Sequence, residues 1–329
     1  MNKTMLSILK VLEETPETVT GSREISRRLT RYGIDLTERT VRYHLRILDE
    51  KGYTRVFGKE GRSITPRGRE ELSQSLVTEK VGFVISKIES LAFLSDFDLV
   101  SRQGKVILNV TFFHKDTFND ALEVMKSVFA SRYNMSTRVV CCKEGDCIGD
   151  IRIPEDHIGF GTVCSVTLNS ILLKAGIPVT SRFGGVLQIE DGEPTRFSAL
   201  ISYAGSSLDP LEIFIKSGMT GVRPAVEGNS GQILASFREI PVVCLEKIHA
   251  LQEDMQREGL GGILCLGNPN QKLLEIPVGI DKAGVVVVGG LNPVAAVEEA
   301  GIPTRSRAMS TLFDYSRLAA FDKLLRGER

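Results

Sequence analysis

The chain has 329 residues, 42% of them apolar, and its 41 Lys and Arg balance 41 Asp and Glu, so the formal net charge is zero. That is too long for one ordinary core and too apolar for a disordered chain, so more than one folded unit is expected. The N-terminal MNKTMLSILKVLEE is amphipathic with acids, unlike a signal peptide, and the longest apolar run, Ala283 to Leu291, carries three glycines and is too short to span a bilayer. The expectation is a soluble, cytoplasmic protein without membrane contact.

In chain order, Met5, Ile8, Leu9 and Leu12 recur at helical spacing until Pro16 breaks the pattern. Ser22 reads as the N-cap of a second helix with Ile25 and Leu29 inward, and Gly33 ends it. Thr37 caps a third helix. In it Val41, Leu45 and Leu48 form the buried stripe, while Arg39, Thr40, Arg42, Tyr43 and Arg46 point elsewhere. The chain turns at Gly52 into a hairpin, Tyr53 to Phe57 and Arg62 to Ile64, around the tip Gly58-Lys59-Glu60-Gly61. Thr65 with Pro66 opens a closing helix. Residues 1–75 therefore read as a winged helix-turn-helix.

Charge is concentrated there. Between Ser22 and Arg69 stand thirteen Arg and Lys against six Asp and Glu, in a chain whose net charge is zero. A solvated helix face explains scattered charges but not this asymmetry, and a duplex presents closely spaced phosphates. The expected partner is double-stranded DNA, with Arg39, Thr40, Arg42, Tyr43 and Arg46 in the major groove, and Lys59 and Arg62 of the wing on the flanking backbone or minor groove.

The remaining residues, 76–329, contain an internal repeat. Ile153-Pro154, Gly161 and Leu168-Asn169 recur as Ile276-Pro277, Gly284 and Leu291-Asn292 at an offset of 123. The AGIP of 175–178 recurs at 300–303, each followed by a Ser-Arg pair, Ser181-Arg182 and Ser306-Arg307. Each copy reads strand (Val106 to Phe113; Ile233 to Glu239), helix (Phe118 to Arg132; Cys244 to Gly259), strand (Ser136 to Cys142; Gly262 to Leu266), strand (Gly161 to Thr167; Ala283 to Gly290), helix after an Asn, then a final strand. The expected fold is mixed α/β (α+β). A winged helix precedes an internally duplicated regulatory body of two similar lobes, about 76–215 and 216–329.

Asn169 and Asn292 fall where strand passes into helix, so each reads as an N-cap, and Pro293 follows at the first helical position. A capped helix N-terminus exposes N–H groups to a small anion, and a Ser-Arg pair can grip a carboxylate bidentately. The alternative for Arg182 and Arg307 is a salt bridge. In the first copy Ser165 and Thr167 stand where the second has Val288 and Gly290, so the first is the better equipped half.

Enzyme chemistry is poorly supported, because no phosphate-binding loop, dinucleotide fingerprint, H-E-x-x-H or G-x-S-x-G occurs. Cys141, Cys142 and Cys147 with His157 offer a Cys3His alternative, that is, a metal- or redox-sensing or enzyme-like body. However, four residues separate Cys142 from Cys147, where tight zinc knuckles prefer two. No metal and no cofactor is expected.

The stretches IGFGTVCSVTLNSILLKAGIPVTSRFGG (158–185), SYAGSSLDPLEIF (202–214) and VVVVGGLNPVAAVEEAGI (285–302), behind a winged helix, resemble the NrpR family of nitrogen-responsive transcriptional repressors of euryarchaea. The resemblance covers essentially the whole chain. It implies a homodimer on a palindromic operator at nitrogen-assimilation promoters, released by 2-oxoglutarate, which accumulates when nitrogen is scarce. Some members carry two regulatory domains and this chain has room for one, which leaves open a companion chain bearing another as co-repressor. On this reading Ser165, Thr167, Asn169, Ser181 and Arg182, with Asn292 and Arg307 of the second copy, are the candidate contacts to the dicarboxylate.

Overall fold

A computed structural model describes residues 3–14, 19–74 and 82–326. The chain divides into two compact units, Met1–Lys80 and Val81–Arg329. Pro16 and the junction near residue 76 lie outside the described residues.

The first unit packs α1 (Lys3–Glu13), α2 (Ser22–Leu29) and α3 (Glu38–Glu50) around Ile8, Leu9, Leu12, Ile25, Leu29, Val41, Leu45 and Leu48. These are the residues that the 3.6-residue period places inward. Gly33, at φ 66°, ends the 3-10 turn Thr30–Tyr32 that follows α2. Thr37 caps α3, its Oγ1 accepting from the Thr40 N–H at 3.3 Å. The N-cap of α2 is Gly21 rather than Ser22. Ser22 is the first helical residue, and its hydroxyl instead donates to Glu38 across to α3. The wing is the antiparallel pair β1 (Thr54–Phe57) and β2 (Gly61–Ile64), and α4 (Pro66–Gln74) follows the Thr65 cap.

The second unit opens with α5 (Phe83–Leu94) and then holds two antiparallel five-stranded sheets. One runs β13 (Arg305–Asp314), β3 (Lys105–His114), β7 (His157–Val163), β4 (Arg138–Cys142), β14 (Ala319–Ala320). The other runs β11 (Ile263–Leu266), β12 (Lys282–Val288), β10 (Gly231–Pro241), β8 (Thr180–Glu190), β9 (Glu193–Ser202). Between β4 and β7 lies a two-stranded hairpin, β5 (Cys147–Ile148) with β6 (Ile151–Arg152), and the equivalent stretch of the second copy holds the single bridge Leu273–Ile276.

The duplication is visible in this order. Each copy supplies three neighbouring strands to its own sheet, β3, β7, β4 or β10, β12, β11. Its final strand joins the sheet of the other copy: β8 pairs with β10, and β13 with β3. The expected division into lobes near residue 215 is therefore corrected. The copies exchange their last strands, and one apolar core runs through both sheets. Around the sheets lie α6 (Phe118–Ala130), α7 (Val166–Lys174), α8 (Pro210–Lys216), α9 (Val222–Glu227), α10 (Leu245–Arg257), α11 (Asn292–Glu299) and the terminal α12 (Phe321–Leu325).

One strand boundary also differs from expectation. The run Gly161 to Thr167 does not stay extended: β7 ends at Val163 and α7 starts at Val166, so Thr167 and Asn169 are inside a helix. Every residue of α7 from Val166 to Leu172 is buried, and a helix buried on all sides has no apolar stripe to distinguish it from an interior strand.

Candidate functional site

On α3, Arg39, Arg42, Tyr43 and Arg46 are exposed on one face, with Thr40 half-buried beside them. Arg42 pairs with Glu38 at 2.5 Å while its side chain stays 65% exposed, and Arg46 pairs with Glu50 at 3.4 Å. Exposed pairs of this kind contribute little, so both guanidinium groups can exchange their carboxylates for phosphate or a base edge. Arg27 and then Arg28 hold the Glu24 carboxyl down at about 2.

The wing keeps Lys59 exposed at its tip, but Arg62 is committed elsewhere. Arg62 Nε donates to Asp49 Oδ2 at 2.8 Å with both side chains largely buried, and Thr54 donates to the same carboxylate. This ion pair ties β2 to α3. Arg55, not singled out from the sequence, is exposed on β1 with its guanidinium 5.5 Å from the Phe57 ring centre.

Of the residues expected to hold the effector, Asn169, Ser181 and Arg182 share an open cleft of about 310 Å³ with Thr180, Ser202 and Glu89. Asn169 donates to Ser181 Oγ at 3.0 Å, and its Oδ1 is buried without a partner among the described residues. Arg182 pairs with Glu239 yet remains 44% exposed.

The other four residues do not join that cleft. Thr167 Oγ1 accepts from the Ile107 N–H at 3.1 Å and donates to its carbonyl at 3.3 Å, clamping α7 to β3. Asn292, fully buried, accepts from the Leu234 N–H at 2.8 Å and donates to the Tyr133 and Leu234 carbonyls at 3.1 Å. Neither asparagine is a cap, because one is mid-helix and the other binds neighbouring strand and loop backbone. Arg307 is exposed on β13, its guanidinium 5.8 Å from the Phe112 ring centre. Ser165 is buried and lines a separate interior cavity of about 10 Å³, room for one water.

That cavity gathers the stretches that carried the family resemblance: Cys164 and Ser165, then Asp209 and Leu211, then Gly290 and Leu291, closed by Ile88 of α5 and by Met309. Gly290 is required there, since a Cβ would collide with the Val163 carbonyl oxygen. Burial pushes the Asp209 carboxyl up to about 6, aided by the Glu212 charge and opposed by the Leu211 and Glu212 N–H groups that it accepts from as the cap of α8. Sequence reading missed Asp209 and Tyr203 here, and Arg238, whose Nη2 donates to the Ser165 carbonyl at 2.9 Å; the available signal for the last was the Arg238-Glu239 pair, the two charges of β10. Cys142 Sγ lies 3.9 Å from the Cys147 carbonyl oxygen, and among the described residues no three His, Cys, Asp or Glu side chains gather as metal ligands.

A basic winged helix followed in the chain by a duplicated α/β body defines the class of DNA-binding transcriptional regulators. Residues 81–320 match the NrpR regulatory domains NRD1 and 2, and residues 6–72 match the Ribonuclease R winged-helix domain. The chain is 39% identical over 318 residues to the global nitrogen regulator NrpRI of Methanosarcina mazei, covering 97% of this chain and 98% of the relative. It is 32% identical to the global nitrogen regulator NrpR of Methanococcus maripaludis and, likewise at 32%, to that of Methanocaldococcus jannaschii. It covers 95% and 100% of this chain in those two comparisons but only 54% and 56% of the relatives, about half their length. A crystal structure of a nitrogen repressor-like protein from Methanococcus jannaschii superposes with a TM-score of 0.62 at 30% identity, covering 72% of this chain and 98% of that one. The chain belongs to the NrpR family, a family of regulators and not of enzymes. Among the described residues no helix is long and apolar enough to cross a membrane.

Proposed function

We propose that this chain is a cytoplasmic transcriptional repressor of nitrogen-assimilation genes that binds a palindromic operator as a homodimer and is released by 2-oxoglutarate. The observation that carries the reading is the outward face of α3, Arg39, Arg42, Tyr43 and Arg46, inside a unit with twice as many cations as anions between Ser22 and Arg69. A single reading helix makes too few contacts for operator affinity, so two copies on a twofold-symmetric site are required. The cleft at Asn169, Ser181 and Arg182 offers amide, hydroxyl and guanidinium groups to a dicarboxylate. The match to only half the length of two relatives also makes a companion chain with a further regulatory domain a partner to test.

The test is a gel shift with purified protein and a nitrogen-promoter fragment, with and without 2-oxoglutarate. Arg42→Ala or Arg46→Ala should each cost about 1–3 kcal/mol of specific binding, and Lys59→Ala should weaken all sequences alike and flatten the salt dependence. Arg62→Ala should instead lower the melting temperature of the winged helix, because the largely buried Asp49 carboxylate loses its counter-ion and keeps only the Thr54 hydroxyl. A shift of wild-type protein that 2-oxoglutarate leaves unchanged would overturn the effector assignment.

A further inference from the structure

The wing carries apolar surface that neither the core of its unit nor a phosphate contact explains. At the root of β1 Thr54 is buried, but Arg55, Val56 and Phe57 beyond it are all exposed, Val56 at 49% and Phe57 at 37%. Neither Val56 nor Phe57 belongs to the apolar core built by α1, α2 and α3. Phe57 stands opposite Gly61 of β2, so no side chain covers its ring from across the pair. None could. Gly61 has φ 139°, and a Cβ there would collide with the Thr20 carbonyl, because the backbone of Thr20 exchanges two hydrogen bonds with Arg62 along the other side of β2.

The bare ring is nonetheless held in place. Alternation along β1 puts Arg55 and Phe57 on one face, where the guanidinium lies 5.5 Å from the ring centre. The root of the wing is fixed to the reading helix through Asp49, which accepts from Arg62 of β2 at 2.8 Å and from Thr54 of β1. Phe57 is three residues beyond Thr54, about 10 Å further along the strand. The turn closes there, the Glu60 N–H donating to the Phe57 carbonyl at 3.0 Å, with Lys59 exposed at the tip. Cations alone would serve a wing that only neutralised phosphate. A ring between two cations, on a braced arm beside α3, fits a minor groove, whose walls are phosphates and whose floor is sugar and base edges.

We propose that Phe57 is an apolar wedge: with α3 in the major groove, the wing enters the adjacent minor groove, the ring presses into a base step there, and Arg55 meets the phosphate at the groove wall. The inference rests on the DNA-binding reading and adds to it a contact that selects by deformability instead of by base edge. Pyrimidine–purine steps such as TA and CA/TG unstack most easily, whereas A-tracts are stiff. The operator should therefore carry a flexible step flanking each half-site, at a position that no side chain of α3 reads. The duplex should be bent at that step by about 20° or more.

The experiment uses the full chain as wild type, Phe57→Ala and Phe57→Leu, on nitrogen-promoter duplexes whose flanking steps are replaced in turn by TA, CA or an A-tract, with 2-aminopurine beside the replaced step. Affinity, bend angle by circular permutation and 2-aminopurine fluorescence are read together. Wild type should prefer the flexible flanks, bend them and brighten the probe. Phe57→Ala should melt with wild type, lose roughly tenfold in affinity on a flexible flank and no longer distinguish the flanks, at an unchanged salt slope because no phosphate contact is removed. Phe57→Leu, still an apolar wedge, should keep most of the bend. A Phe57→Ala protein that keeps the wild-type bend and flank preference overturns the wedge and leaves the DNA-binding reading intact. So does one that melts lower and binds every flank more weakly to the same degree, which would make the ring a support of the wing. Wild-type protein that retards no duplex overturns both.

Discussion

Asn169 and Asn292 occupy equivalent places in the repeated sequence, and their environments predict opposite consequences of removal. Asn292→Ala deletes three hydrogen bonds from a fully buried amide. The Leu234 carbonyl keeps a partner in the Gly289 N–H at 2.8 Å, but the Leu234 N–H loses the acceptor that Asn292 gives it, and the Tyr133 carbonyl loses its amide donor. Three bonds at about 1 kcal/mol each, plus at least one buried donor left unpaired, come to roughly 3–5 kcal/mol. In a unit of this size that lowers Tm by about 10 °C. Asn169→Ala removes one bond to Ser181 and a carbonyl oxygen that has no partner, so it should cost about 1 kcal/mol or less. Differential scanning calorimetry of both variants reads the contrast directly. Equal losses, or a loss under about 1 kcal/mol at Asn292, would refute the claim that this amide joins α11 to β10 and to the first copy.

Two further outcomes follow from the same structure. Asp209, with its folded pKa raised to about 6 by burial, contributes stability that is present below about pH 4 and lost as the pH rises through 6. Asp209→Asn retains an acceptor for the Leu211 and Glu212 N–H groups, so it should match wild type near pH 4 and exceed it by roughly 2 kcal/mol at pH 7. Urea titrations at the two pH values measure this, and a difference independent of pH contradicts it. Residues 82–215 and 216–326, produced separately, should each fail to fold cooperatively and should recover β-sheet circular dichroism on mixing, because each lacks the strand, β13 or β8, that completes its sheet. A cooperative melt from either piece alone contradicts the exchange.

What the sequence determined by itself is local and periodic. The apolar positions of α1, α2 and α3, the Thr37 cap and the Gly58 to Gly61 turn place Arg39, Arg42, Tyr43 and Arg46 outward, because a 3.6-residue period assigns faces without reference to distant contacts. The offset of 123 likewise revealed two copies of one strand and helix order. The tertiary structure alone decided the rest. Both copies are antiparallel and share one core, so local patterning is the same whether a last strand stays in its own sheet or crosses to the other. Arg62 reads as a wing cation until Asp49, thirteen residues away, is found beside it. Asn292 is identical in letter to Asn169, but what it binds, Leu234 and Tyr133, is brought to it by strands and helices far away in the chain. Arg238 is set apart only when burial is known, since the sequence shows an Arg-Glu pair in a strand and folding leaves its guanidinium 2% exposed with Nε and Nη1 unpartnered among the described residues.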